Sequence, residues 1–242
     1  MTTSNPGRSP VHIMAIGAHI GDMELSCGKT LATHSLLGDQ ITSVALSAVA
    51  RGAPPPATSA ADIAAFRAEN VAAATAFATA LGGRFIDVGY PDGEIPDNEE
   101  VRYQIADLIR EHRPDILITH WKDGLHKDHR RTAQIVRDAH YYAALRGLEL
   151  HAPRHAARGP YYAENWEDAP GFEPYIYIDV SPGYALWYEH VQKLWLTNNS
   201  PWFQYRAYYD ALSRSRGALI HRERAECFAV DPEQRRLVLE HF

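Results

Sequence analysis

Four times in the first 145 residues, an apolar run of strand length leads into a longer segment of helical period. "VHIMAIGA" (11–18) reads as a buried strand and precedes a helical pattern from Met23 to Leu37, stopped by Gly38-Asp39. "ITSVALSA" (41–48) is the second strand, and the Gly/Pro-rich "RGAPPPATS" after it belongs on the surface. An alanine-rich segment of strong helix propensity then runs from Ala60 to Leu81 and ends at Gly82-Gly83. "RFIDVGY", beginning at Arg84, is a short strand, followed by the turn cluster "PDGEIPDN" and a helix from Glu99 to His112 with Asp97 or Asn98 as N-cap. "DILITH" (115–120) and a helix from Lys127 to Leu145 complete the series. Consecutive strand–helix units require right-handed crossovers between parallel strands, which predicts an α/β fold: a Rossmann-like, doubly wound, mostly parallel sheet over residues 11–146. From about Gly147 the rhythm breaks into "PYYAENW", the alternating "YIYIDV" (175–180) and the aromatic "LWLTNNSPWFQYRAYYDALSRSR". Residues 147–242 are therefore expected to be an α+β elaboration that closes over the sheet. No repeat or flexible linker separates the parts, so one domain over 1–242 is expected, with residues 1–10 as a flexible lead.

Composition narrows the function. A chain of 242 residues, 45% hydrophobic, can bury one substantial core. A formal charge of −6 and a pI near 6.1 oppose nucleic acid or an anionic membrane as partner, and the pairs Arg130-Arg131 and Arg235-Arg236 are isolated. Cys27 and Cys227 stand far apart, which leaves neither a disulfide framework nor a cysteine zinc knuckle. With no apolar signal core and no membrane-length run, a soluble cytoplasmic protein with a small-molecule substrate is expected.

The stretch "MAIGAHIGDMELSCGKT" (14–30) admits three readings. Gly28-Lys29-Thr30 resembles the end of a phosphate loop, but Met23 stands where that motif needs its first Gly, and the tripeptide falls inside the predicted helix. Gly17 and Gly21 do not make a dinucleotide fingerprint. The third reading is a metal site. His19 ends a parallel strand and Asp22 begins the next helix, so both face the crevice at the carboxyl end of the sheet. Taken alone, they are equally a polar strand end and an N-cap. "ITHWKDGLHKDHRRT" repeats the arrangement: a buried strand, a short loop, then His126, Asp128 and His129 as a helix opens. His126 and His129 lie one helical turn apart and can face one pocket. "HKDH" alone is also a solvated helix start; two such clusters, each after a buried strand, point to a catalytic zinc-type site.

In these residues the chain resembles the LmbE-like, or PIG-L-type, zinc N-deacetylases, whose signatures Ala-His-Pro-Asp-Asp-x-Glu and His-Pro-Asp-His correspond to "AHIGDME" and "HKDH" here. The similarity covers roughly residues 11–145, including an Asp-Gly turn at Asp92-Gly93. The resemblance implies His19, Asp22 and His129 as ligands of about one Zn2+ per chain. It implies His126 as the group that steadies the oxyanion or protonates the leaving amine, with Asp128 orienting it. It departs at one place: the Asp that serves as general base is Gly21, and the preceding Pro is Ile20. Zinc acidity or another carboxylate must then remove the proton from water, and Glu24, Asp92 and Asp123 are the candidates. Together with Arg67 these three are also the candidate substrate-binding residues. Trp166, Trp195, Trp202, Tyr205 and Tyr208 suit a sugar-stacking wall, a subunit interface or core packing.

The expected activity is hydrolysis of an N-acyl amide, of an N-acetyl amino sugar or another small polar metabolite, by zinc-activated water. A homo-oligomer is expected, since oligomers are common in the family resembled. The alternative is a repurposed metal-site protein that binds a glycoside or small metabolite without turnover.

Overall fold

The structure is a computed structural model that describes residues 8–48, 50–55, 57, 59–167 and 170–235. Most of the expected lead, and the last seven residues, lie outside the described residues.

β1 (His12–His19) is buried along its whole length, as a strand with neighbours on both edges and helices on both faces must be. Two short helices follow, α1 (Asp22–Ser26) and α2 (Gly28–Leu36), then β2 (Gln40–Ser47), α3 (Ala60–Ala80), β3 (Arg84–Asp87), α4 (Glu99–His112), β4 (Ile116–His120) and α5 (Lys127–Ala144). Asn98, not Asp97, caps α4, its side-chain oxygen accepting the Val101 N–H at 3.1 Å. Beyond come β5 (Arg158–Ala163), β6 (Ile176–Asp179), α6 (Tyr184–Val191), α7 (Trp195–Asn199), α8 (Tyr205–Leu219) and β7 (Ala225–Ala229). The sheet order is β3-β2-β1-β4-β5-β7-β6, parallel from β3 through β5 and antiparallel where β7 pairs with β5 and β6. This is the expected α/β, doubly wound sheet. One face packs Met14, Ile16 and Val44 against Ile105 and Ile109 of α4 and Ile135 of α5. The other packs Ile13 and Ala15 with Leu31, Phe77, Trp187 and Tyr209 from α2, α3, α6 and α8.

Two expectations are corrected. The later segment does more than close over the sheet: β5 extends its parallel part, and β7, which has no period or turn signal, becomes an interior strand. The helix expected from Met23 to Leu37 is broken at Cys27, whose φ of −134° leaves the helical region. The break has a tertiary cause. Gly28 lies so close to Trp187 that a Cβ there would sit 2.7 Å from the indole. At the freshly exposed N-terminus of α2, Glu226 of β7 accepts the Lys29 and Thr30 amides at 3.3 and 2.7 Å. Its Oε1 also takes the buried Lys29 ammonium at 3.1 Å, which lies 3.8 Å from the Trp187 ring. Gly28-Lys29-Thr30 thus does present free amides to an anion, contrary to its expected place deep in a helix; the anion is the protein's own carboxylate.

Candidate metal centre

The parallel strands end together at the carboxyl edge of the sheet, where β1 delivers His19 and β4 leads into the loop before α5. The chain turns sharply after His19 through Gly21, whose φ of +105° is a left-handed conformation that suits glycine. That turn points the first residue of α1, Asp22, back at the strand it has just left, and its Oδ2 accepts the His19 backbone N–H at 2.7 Å. The same oxygen lies 3.4 Å from His19 Nδ1 and 3.4 Å from His129 Nε2. His129 arrives from the first turn of α5, with His126 as its N-cap. His19, Asp22, Asp92, His126 and His129 all line one cavity of about 240 Å3, with Asn165, Trp166, Glu167, Leu196, Tyr205 and Tyr209 among its remaining walls.

Hydrogen bonds on the far side of each ring decide which nitrogen faces inward. His19 Nε2 is 3.3 Å from Asp128 Oδ2 and 3.2 Å from Asp92 Oδ1, so its proton belongs there and Nδ1 turns a lone pair toward Asp22. His129 Nδ1 is 2.6 Å from Glu167 Oε1, so Nε2 presents its lone pair to the same place. Two imidazole lone pairs and a carboxylate oxygen converge with no side-chain donor among them. This is a donor set that fits a divalent cation such as zinc, with the cavity on its open side. Without a cation, protons must bridge these atoms. Burial opposes protonation of both rings, but the carboxylates around them outweigh it, raising His19 to about 12 and His129 to about 9. Asp22 is likewise pulled well below the usual carboxylate range: burial works against the anion, and the charge of His129, with the neighbouring His120 ring, overcomes it. The His/Asp atoms form three overlapping sets, His19–His126–His129, Asp22–His120–His129 and His19–Asp92–Asp128, each within 4.8 Å.

His126 stands apart electronically. Its Nδ1 accepts the Asp128 backbone N–H at 3.2 Å, which places the ring proton on Nε2. Burial, with the neighbouring His129 and His19, lowers its pKa, so it meets a ligand as a neutral N–H donor. Asp128 therefore does fix the His126 ring, but through its backbone. Its side chain, which was expected to orient His126, instead holds His19 and accepts the Gly93 amide at 2.8 Å.

The four candidate substrate-binding residues separate. Asp92 is in the pocket. Glu24 is not: it is 2% exposed, and its oxygens accept the Gly21 amide at 2.9 Å and the Ser43 hydroxyl at 2.8 Å, closing the first turn of α1 onto β2. Arg67 is paired with Asp87 at the end of β3 and does not line the cavity. Asp123 is an exposed loop residue outside it. His120 lies beside the Asp22 carboxylate, its Nε2 accepting the Ala18 amide at 2.9 Å and standing 3.1 Å from Asp22 Oδ2, with its ring stacked on His129 at 4.1 Å. Of the expected aromatics, Trp166 and Tyr205 line the cavity, while Trp195 packs edge-on against Phe66.

Sequence reasoning missed Asn165, Glu167 and Tyr209. Glu167 is buried against His129, and Asn165 links the two regions, its Oδ1 accepting the Tyr209 hydroxyl at 2.7 Å beside His129. Leu196 was missed as well, and it explains Gly21: a Cβ added there would lie 2.2 Å from Leu196 Cδ2. The space a side chain at position 21 would need is filled by Leu196.

A doubly wound α/β sheet with two histidines and an aspartate converging at the carboxyl ends of its strands defines a class of proteins with a crevice site suited to metal-assisted chemistry. Within that class, residues 14–140 match the family PIG-L, described as GlcNAc-PI de-N-acetylase, and the chain belongs to it. Solved structures of the same fold include the conserved protein TT1542 from Thermus thermophilus, 22% identical with a TM-score of 0.78, covering 91% of this chain and 94% of that one. GalB, the 4-carboxy-2-hydroxymuconate hydratase of Pseudomonas putida, is 19% identical with a TM-score of 0.82 over 96% of this chain and 99% of its own. The N,N'-diacetylchitobiose deacetylase of Pyrococcus horikoshii is 18% identical with a TM-score of 0.78, covering 94% and 86%. Among the described residues, no helix is long and apolar enough to cross a membrane.

Proposed function

We propose that this PIG-L protein is a metal-dependent hydrolase that splits an N-acyl amide into a carboxylate and a free amine. The observation that carries the reading is the convergence of His19 Nδ1, Asp22 Oδ2 and His129 Nε2, with no proton donor of their own between them, at one wall of a cavity. His19, Asp22 and His129 would hold the ion, zinc by its nitrogen and oxygen donors. Bound there, it supplies Lewis acidity and brings the pKa of a water down to about 7. His126 Nε2–H would donate a hydrogen bond to the carbonyl oxygen as negative charge develops on it, and the departing amine would take the proton that Asp92 removes from water. Asp92, beside His19 in the cavity, replaces Glu24 and Asp123 as the carboxylate available to accept the proton of water. Glu167 and Asp128 keep the inward nitrogens of His129 and His19 free of protons. Free-amine release by zinc-loaded protein from a panel of N-acyl amino sugars and N-acyl amines tests the reading; it requires turnover that a chelator removes and zinc restores.

Gly21 favours a second reading. With Leu196 over the position of the family's base, the pocket suits addition of water to an activated carbon–carbon double bond, the kind of reaction named for the hydratase of the same fold, or binding without turnover. Zinc uptake with no amine release from the whole panel would favour it.

A further inference from the structure

A second cavity, of about 420 Å3, opens beside the metal pocket and shares three walls with it: Ile20, Leu196 and Tyr205. Its other walls are mainly apolar, with Pro54 and Pro55 from the loop after β2, Phe66 from α3, and Trp195 and Trp202 around α7. Trp202 stands on its rim 92% exposed. An indole left almost wholly in water costs solvation that contact with an apolar ligand would recover. The shared partition is Leu196, the residue that occupies the place of a side chain at Gly21. At that place the chain puts an aliphatic wall that lines both cavities. The metal pocket, at about 240 Å3, falls below the usual size of a complete small-molecule site, and the two cavities together reach it.

We infer that the apolar cavity is an acyl-chain subsite, so that the substrate is an N-acyl amide whose acyl group is an extended apolar chain and not acetyl. The assignment to the acyl side rests on the hydrolase reading above. The leaving amine takes its proton from Asp92, so the amine lies toward Asp92 and His126, and the second cavity is bordered by neither of them. The carbonyl carbon's other substituent then points past Leu196.

Calorimetry on the zinc-loaded protein with three probes tests this: acetohydroxamate, octanohydroxamate with its chain on the acyl side, and N-octylacetohydroxamate with its chain on the amine side. Each buried methylene tightens binding about fourfold, so octanohydroxamate should bind about 10²-fold or more tightly than acetohydroxamate, and the N-octyl compound less than about tenfold. Two substitutions should reduce the octanoyl-to-acetyl ratio to about tenfold or below: Trp202→Ala, at a surface position, and Ala53→Phe, which fills the cavity. Equal affinity for the short and long acyl probes overturns the inference. So does a gain confined to the N-octyl probe, or a ratio that neither substitution moves. A fall in oligomer mass in Trp202→Ala with the ratio unchanged makes Trp202 a subunit contact and overturns it as well. If wild type binds no acetohydroxamate, the metal reading fails separately. The subsite is then judged with octanoate, which must change the tryptophan fluorescence of wild type and not of Trp202→Ala.

Discussion

Residues 14–140 and residues 158–229 contribute to the pocket in different ways. The first region supplies the atoms that converge on the proposed metal position, from the end of β1, the start of α1 and the start of α5. Asp92 and Asp128 of the first region fix His19, while the second region sets the state of His129 and closes the space around the site: Glu167 on His129, Asn165 and Tyr209 beside it, Leu196 over Gly21, and Glu226 holding the N-terminus of α2. Ligands sit at strand ends because the fold delivers them there. Their basicity and the shape of the cavity belong to whatever packs over the strand ends, and that is where members of one fold are free to diverge.

If this division is right, substitutions in the two regions should separate metal binding, turnover and stability. In the first region, His126→Ala should retain zinc and lose turnover by about 10²- to 10⁴-fold, measured as kcat beside metal content. Across the regions, Lys29→Met leaves the buried Glu226 carboxylate without its counter-ion, held only by the Lys29 and Thr30 amides, and should cost about 3 kcal/mol of stability by denaturant unfolding. Gly21→Asp must adopt a strained positive φ and displace Leu196, so it should destabilise by about 2–4 kcal/mol and not simply restore a base. Gly21→Asp with Leu196→Ala should recover much of that loss, and only this pair is a fair test of whether an acid at position 21 raises amidase activity. In the second region, Glu167→Gln should weaken zinc about 10- to 100-fold in a chelator competition and lower the melting temperature of the metal-free protein, in which Glu167 pairs with the protonated His129 ring.

The smallest expected effect is on pH dependence. His19 and His129, held in the metal-free fold at about 12 and about 9, lie above the ~6.5 of an unfolded histidine. Their protons therefore stabilise the metal-free fold fully below about pH 6.5, and the share from His129 is lost as pH rises through about 9. Melting temperature without metal should fall across that window. Saturating zinc, which needs both rings deprotonated, should flatten or invert the slope.

The same division governs how much was legible in the sequence. The parallel sheet and four of its strands could be read because each is a continuous apolar run followed by a helix, and His19, Asp22, His126 and His129 because a strand end and a helix start fix them locally. Glu24 and Asp92 carry the same chemical label in the sequence; only packing distinguishes the carboxylate bonded to Gly21 and Ser43 from the one that faces the cavity. Glu167 had no local signal, since its partner is 38 residues away in the chain and on another element. The break at Cys27 was hidden for the same reason: local periodicity favours one helix, and Trp187 and Glu226 impose two.

The central claim is that a divalent metal occupies the point where His19, Asp22 and His129 converge. Zinc titration of the chelated protein, with inductively coupled plasma analysis of wild type and His129→Ala in parallel, tests it most directly. The wild-type chain should hold about one zinc, reloaded to the same level after chelation, and His129→Ala none. A folded wild-type protein that takes up no zinc, or a His129→Ala protein that binds it equally well, would contradict it.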